Sequence, residues 1–266
     1  MPLIRMHADN LDARNTEFAQ QPLSRPVFLN SVPKSGTHLL RNVMRMFVPV
    51  EQHYPAAFIQ HPILAQHRKA FDAGAPKLSW GHLLFSDLSA IALKGVRHIL
   101  LVRDPYDWVI ARARFFLSDT FQANLEHLKK DAVSVEDMLN MMIFGIPGKA
   151  PTLSEIYTHN AVSWLGTGIH LVRYEELAAH CSAPDTLDAH AYFARLLDAA
   201  GLGVLPEDWR DRVRVGADRG QSGTARENLA GRSTAFPDTL PDTQKRLVDY
   251  AAPGLRALLG YGNSPV

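Results

Sequence analysis

The sequence has a single cysteine, almost no net charge and no long apolar run, and each of these features argues against a class of protein. Cys181 alone cannot form an internal disulfide, and no Cys/His cluster has the spacing of a structural zinc site, so a reducing cytoplasm is the expected location. A formal charge of +1 gives no general attraction for nucleic acid or an anionic membrane, so any anion site must be local. No stretch approaches the roughly 20 apolar residues that span a bilayer, and we expect no membrane anchor.

The chain has 266 residues, of which 46% are hydrophobic and 21% are charged, as expected for one ordinary globular domain. Residues 1–25 are polar and lack periodicity, and they end in a segment with two prolines. The sequence therefore predicts an N-terminal arm, loosely packed, followed by a single domain over residues 26–266.

Short apolar runs alternate with helical patterns along this domain. Strands are expected at 27–29, 77–82, 98–102 and 169–174. Helices are expected at 39–47, after the turn at 103–105, and at 134–145, 153–165, 187–200 and 241–260, the last interrupted at Pro253. This alternation predicts an α/β fold with a central parallel sheet flanked by helices on both faces.

The segment from Pro33 to His38 places a lysine, two hydroxyls and a glycine between a buried strand and a helix. Free backbone N–H groups and the positive end of the helix dipole meet at such a junction, which suits a phosphate. The alternative is a simple capped turn, because Ser and Thr are ordinary helix caps. The segment is not a Walker A loop, since Lys34 precedes Gly36 instead of following the second glycine.

Four segments in order resemble the motifs of the sulfotransferase family, whose donor is 3′-phosphoadenosine 5′-phosphosulfate (PAPS). Residues 33–37 resemble its 5′-phosphosulfate loop, and Gly81-His82 lies where the family places a catalytic histidine. Residues 102–107 look like its 3′-phosphate motif, and residues 173–177 resemble the segment whose tyrosine lies near the adenine. The resemblance implies a P-loop-like central sheet.

The same resemblance implies roles for individual residues. His82 would take the proton of an acceptor hydroxyl, for which an imidazole with an ordinary pKa of about 6.5 is suited, and Lys34 would stabilise the leaving group. The donor-binding residues would be Lys34, Ser35, Gly36, Thr37, His38, Arg103, Ala111, Tyr174, Arg226 and Arg232. The products would be a sulfate ester and adenosine 3′,5′-bisphosphate (PAP), with no metal required.

Each of these assignments has a structural alternative. A histidine near a strand end is often a core or surface residue, Arg103 beside Asp104 is compatible with an internal ion pair, and Tyr174 with a core aromatic. The Met/Phe stripe at 115–116 and 141–144 fits either an acceptor pocket or plain core.

The sequence departs from the family pattern at three positions. Ala111 replaces the serine that usually lies eight residues after the motif arginine, Trp80 replaces a lysine often found two residues before the histidine, and His38 replaces a small or aromatic residue. The family also has a basic segment near its C-terminus, which would fall within residues 219–232 here. Its alignment with this sequence is not fixed, and we favour Arg226 over Arg232 as its arginine.

Two other functions remain open from the sequence. An apolar strand ending in Asp104 is similar to a Walker B strand, which favours an ATP-dependent small-molecule kinase holding Mg²⁺, although Pro105 and the missing Gly-Lys-Ser/Thr argue against it. A catalytically silent nucleotide-binding protein is the other. For the sulfotransferase we expect a small-molecule hydroxyl acceptor and no nucleic-acid partner, and we allow for a homodimer.

Overall fold

The computed structural model describes residues 9–55, 59–118, 125–129, 131–221 and 236–262, together with the backbone of 3–4 and 121–122. The strands are β1 (Leu3–Ile4), β2 (Val27–Ser31), β3 (Ile59–Gln60), β4 (Leu78–His82), β5 (Arg97–Val102), β6 (Phe121–Gln122) and β7 (His170–Arg173). Five of them form a parallel sheet in the order β3-β4-β2-β5-β7, and β1 pairs with β6 in an antiparallel ribbon. The predicted α/β fold with a central parallel sheet is confirmed.

The helices fall between and after these strands. They are α1 (Leu11–Asn15), α2 (Thr37–Arg45), α3 (Asp87–Ala92), α4 (Pro105–Phe116), α5 (Val135–Phe144), α6 (Leu153–Asn160), α7 (Tyr174–Ser182), α8 (Leu187–Ala200), α9 (Trp209–Ala217), α10 (Asp242–Ala251) and α11 (Leu255–Leu258). Short 3₁₀ segments lie at Val50–Gln52, His61–Phe71, Glu126–Leu128 and Val162–Trp164. None of the helices in the described ranges is both long enough and apolar enough to cross a membrane.

Alternate residues of the central strands enter two separate cores. Ile99 and Leu101 of β5 pack with α1, α2, α7, α8 and α9, whereas Leu100 and Val102 pack with α4, α5, α6, α10 and α11. Because both faces of the sheet are covered, β5 needs an apolar residue at every position from Ile99 to Val102. This requirement explains why the strand is a continuous apolar run in the sequence.

Most expected elements are present, with differences at their ends. The helix expected at 187–200 has those limits, and the one expected at 153–165 ends at Asn160 before a 3₁₀ turn. The segment 241–260 divides into α10 and α11 around Pro253, since proline cannot supply the helical N–H bond. The sequence predicted neither β3 nor the helices α1, α3 and α9.

Several residues of the N-terminal segment before β2 pack against the domain, while most of their neighbours are exposed. Leu11 and Asn15 of α1 are buried, and the Asn15 amide donates to the carbonyls of Arg45 and Val48. Arg45 in turn pairs with Asp9 and Asp12. Five helical residues are too few to show an apolar period, so the sequence gives no signal for this packing.

Candidate functional site

The carboxyl ends of β2, β4, β5 and β7 open on one cavity of about 770 Å³. Because the strands are parallel, the residues that follow them meet at the same edge of the sheet. The cavity wall includes the predicted site residues Lys34, Gly36, Thr37, His38, His82, Arg103, Ala111 and Tyr174. Ser35 of the loop is fully buried and is not part of the wall, and Arg226 and Arg232 lie outside the described residues.

The loop after β2 adopts a left-handed backbone at two positions. Lys34 has φ 70° and Gly36 has φ 92°. Lys34 is a non-glycine residue in a conformation that costs it of order 1–3 kcal/mol. A methyl group at Gly36 would collide with the ring of Tyr174, which lies directly over the glycine. Only glycine therefore fits beneath Tyr174 at the start of α2.

The amino end of α2 lacks a side-chain cap from any residue that the structure describes. Gly36 occupies the cap position, and Gly36, Thr37 and His38 line the cavity. The first N–H groups of a helix have no partner within the helix and carry partial positive charge. This end of α2 is therefore a place where an anionic ligand can bind.

Three buried polar atoms around the loop support the same interpretation. Ser35 Oγ, His38 Nδ1 and Arg103 Nε have no hydrogen-bond partner among the described residues. Buried polar atoms are normally satisfied, and unsatisfied ones call for an explanation such as a missing ligand. The Lys34 ammonium lies 2.9 Å from the centre of the Phe115 ring, inside the same cavity. The residues present fit a ligand with phosphate-like oxygens.

His82 ends β4 and is held by the end of β2. Its Nδ1 lies 3.0 Å from Ser31 Oγ and 3.0 Å from the Ser31 carbonyl oxygen. Burial lowers the pKa of His82 to about 4, and the nearby Lys34 cation acts in the same direction. The ring is therefore neutral at pH 7 and able to accept a proton.

His38 is the second neutral histidine of the cavity. Its pKa is lowered to about 3, mainly by burial and to a smaller degree by the Arg41 and Lys34 cations. Its ring packs edge-on against Trp80, with ring centres 5.2 Å apart. Trp80 thus supports the loop side of the cavity.

Arg103 and Tyr174 form a stacked pair across the cavity. The Arg103 guanidinium lies 4.4 Å from the centre of the Tyr174 ring, which also covers Gly36. The Tyr157 hydroxyl fixes the backbone by donating to the Arg103 carbonyl at 2.8 Å. Arg103 is not in an ion pair with Asp104, because Asp104 pairs with Arg256 at 2.8 Å.

Ala111 and its neighbours show which side of α4 borders the cavity. Ala111 lines the cavity, whereas the buried Arg112 donates to the carbonyls of Met142 and Pro151 on the other side. The Arg112 side chain therefore points away from the cavity. Arg114 does line the cavity, and it pairs with the exposed Asp238 at 3.1 Å.

The Met/Phe stripe is mostly core. Met142 and Ile143 are fully buried and Phe116 packs beside them, whereas Phe115 faces the cavity.

Sequence reasoning missed Ser31 and Arg114. The position of Ser31, a hydroxyl residue at the end of an apolar strand, could have marked it as a candidate site residue. Among the described residues, no group of three His, Cys, Asp or Glu side chains is placed to hold a metal ion.

The fold resembles that of a solved structure. Mouse sulfotransferase SULT7A1, crystallised in complex with PAP, matches with a TM-score of 0.53 and 13% sequence identity. The match covers 97% of this chain and 96% of that one. The chain has the fold of a sulfotransferase. No family model matches the sequence, and no curated protein matches it.

Proposed function

We propose that this protein is a PAPS-dependent sulfotransferase that moves a sulfuryl group to the hydroxyl of a small molecule. One observation carries the proposal: the uncapped amino end of α2 and the neutral, partly buried His82 share one cavity. An anion-binding loop beside a base is what sulfuryl transfer from an anionic donor to an alcohol needs. The sulfotransferase fold supports this choice of reaction.

The loop and its surroundings would bind the donor. The N–H groups at the start of α2, with Lys34 and Thr37, suit the 5′-phosphosulfate, and Ser35 and His38 supply further polar atoms beside it. Arg103, stacked on Tyr174, suits the 3′-phosphate, and Tyr174 suits the adenine. Arg226 and Arg232 stay candidates for the 3′-phosphate.

In the reaction, His82 accepts the proton of the acceptor hydroxyl as the oxygen bonds to sulfur. The bond between sulfur and the bridging oxygen of the 5′-phosphate breaks, and that oxygen keeps the electron pair. Lys34 stabilises the negative charge that develops there, so its contribution grows toward the transition state. The products are a sulfate ester, PAP and a proton that His82 releases to solvent.

The kinase alternative finds little support in the geometry. Asp104 would have to hold Mg²⁺, yet its carboxylate accepts the Tyr106 N–H at 3.0 Å and pairs with Arg256 at 2.8 Å. These contacts commit it to the start of α4. We further propose that the enzyme works in the cytoplasm without a metal; the homodimer stays a prediction.

The test is a screen of acceptor alcohols with sulfur-labelled PAPS. With any acceptor that is labelled, His82→Ala should lower turnover by roughly 10²–10⁴ while PAP affinity stays nearly unchanged, because the imidazole acts on the acceptor. The exposed His159 is the matched control, and His159→Ala should keep full turnover.

Equal turnover in His82→Ala and the parent, at saturating acceptor, would remove His82 from the mechanism. If PAP binds but no acceptor is labelled and His82→Ala changes nothing, the catalytically silent protein is favoured.

A further inference from the structure

Ser31 lies between the loop and His82 and contacts both. Its hydroxyl is 2.7 Å from Thr37 Oγ1 and 3.0 Å from His82 Nδ1. Ser31 is fully buried at the end of β2, and Thr37 is the first residue of α2 and lines the cavity. A chain of short polar contacts therefore joins the anion-binding end of α2 to the imidazole.

The Ser31 carbonyl oxygen, which also contacts His82, determines which atom donates in each of these hydrogen bonds. The Ser31 carbonyl oxygen can only accept, so the His82 Nδ1 at 3.0 Å from it must carry a proton. Because burial holds the pKa of His82 at about 4, the ring has only this one proton at pH 7. The lone pair of the neutral ring is then on Nε2, which is the atom that can take a proton.

The remaining protons can be assigned from the distances. Ser31 Oγ accepts a share of the Nδ1 proton, and its own proton has two acceptors within reach, Thr37 Oγ1 at 2.7 Å and the Gly81 carbonyl at 3.4 Å. The shorter contact is the better bond. Thr37 accepts from Ser31, which leaves the Thr37 proton to be donated into the cavity.

We infer that Ser31 is a positioning residue that fixes His82 with its proton on Nδ1 and couples the base to the ligand held by Thr37. An anion that accepts from Thr37 makes each oxygen along the chain a better acceptor, because hydrogen bonds in series polarise one another. A stronger acceptor at Nδ1 raises the proton affinity of Nε2. Donor binding at the loop thereby strengthens the base.

The neighbouring Asn30 fixes the backbone for this arrangement. Its amide donates to the Leu83 carbonyl at 3.2 Å, and its oxygen accepts the Leu83 N–H at 2.9 Å. Both residues are fully buried. The residue after His82 is thus clamped to β2, so loss of the Ser31 hydroxyl is expected to change the hydrogen bonds of the ring without releasing the strand.

The direct test is nitrogen-15 NMR of the ligand-free protein at pH 7, with the His82 signals assigned by their loss in His82→Gln. We expect a protonated Nδ1 and an unprotonated Nε2. Thr37→Val should shift the Nδ1 resonance in the parent and leave it unmoved in the Ser31→Ala background, because Ser31 carries the connection. A proton on Nε2, or an equal Thr37→Val shift in both backgrounds, would overturn the inference.

Activity gives the second readout, and its meaning rests on the proposed function. Ser31→Ala should lower kcat by roughly tenfold, as expected for one lost hydrogen bond, and change PAP affinity by less than about threefold. Ser31→Thr keeps the hydroxyl and should restore most of the loss. Failure of Ser31→Thr to restore kcat, with its fold intact, would contradict the role of the hydroxyl. If the parent protein neither binds PAP nor transfers sulfate, the proposed function fails, and the NMR result still decides the role of Ser31.

Discussion

The turns after β2 and β5 lie side by side and both join a buried strand to a helix, yet they begin their helices in different ways. At the second turn, the Asp104 carboxylate accepts the Tyr106 N–H and pairs with Arg256. At the first, Gly36 occupies the same position, with no side-chain cap from the described residues. The protein itself caps the second turn, whereas on the proposed function the first turn offers its N–H donors to a ligand.

Further contacts distinguish the turn after β5 from the turn after β2. The Asp104 N–H donates to Glu175 at 3.0 Å, so the turn after β5 is also tied to α7. The turn after β2 instead holds Lys34 in a left-handed conformation and has a buried, unpartnered Ser35 hydroxyl among the described residues. Strain and unsatisfied polar atoms persist where a function requires them. On the proposed function, the first turn binds the donor, and the start of the second helix contributes mainly to stability.

Of the residues in these two turns, Lys34 in the turn after β2 is expected to have the largest effect. Lys34→Ala should lower kcat by roughly 10²–10³ and weaken PAP binding by less, because the ammonium matters most as the leaving oxygen gains charge. Steady-state kinetics and calorimetry measure the two effects. The partly exposed Lys245, which pairs with Asp242, serves as control, and Lys245→Ala should change neither. A loss of affinity with a normal kcat would contradict the role given to Lys34.

Asp104 tests the other turn. Asp104→Ala should lower the free energy of unfolding by about 3 kcal/mol, because it removes a helix cap and leaves the mostly buried Arg256 without its carboxylate. Urea denaturation measures the loss. Asp238 pairs with Arg114 but is almost fully exposed, so Asp238→Ala should cost less than about 0.5 kcal/mol. Similar small losses in both variants would mean that the second turn is not stabilised as described.

Arg103 follows β5 but lines the same cavity as the turn after β2. It therefore tests whether the turn after β5 also contributes to donor binding. Arg103→Ala should abolish the preference for PAP over 5′-AMP, a loss of about 2 kcal/mol or roughly thirtyfold, since charged hydrogen bonds to the 3′-phosphate disappear. Arg210 also stacks on an aromatic ring, at 4.6 Å from the centre of Trp209, and Arg210→Ala is the matched control. An unchanged preference in Arg103→Ala would refute the assignment.

The smallest expected effect is a gain at Ala111. Because Ala111 lines the cavity on α4, a hydroxyl there should reach the ligand, and Ala111→Ser should tighten PAP by about 1 kcal/mol, up to tenfold. Binding of 5′-AMP, which lacks the 3′-phosphate, should stay the same and provides the internal control. Equal affinities for PAP before and after the change would show that the 3′-phosphate does not reach this face of α4.

The sequence predicted the sheet and the edge at which the site lies. Continuous apolar runs such as residues 98–102 are typical of parallel strands covered on both faces, and the polar residues that follow them must meet at one edge. The cavity accordingly contains Lys34, His82, Arg103 and Tyr174.

The sequence could not predict which way a side chain points from its helix, nor which residues form long-range hydrogen bonds. Arg112 and Arg114 are two residues apart, but tertiary packing sends the first to the Met142 carbonyl and the second to the cavity. Ser31 contacts His82 only because β2 and β4 are neighbours in the sheet. Neither contact leaves a periodic signal.

The most direct test of the account is calorimetric titration of the parent protein with PAP, and separately with ATP and Mg²⁺. An uncapped loop beside Arg103 predicts saturable one-to-one binding of PAP, clearly tighter than binding of 5′-AMP or ATP, without any need for Mg²⁺. Absence of PAP binding, or a clear preference for ATP with Mg²⁺, would contradict the assignment of the turn after β2 as a PAPS site.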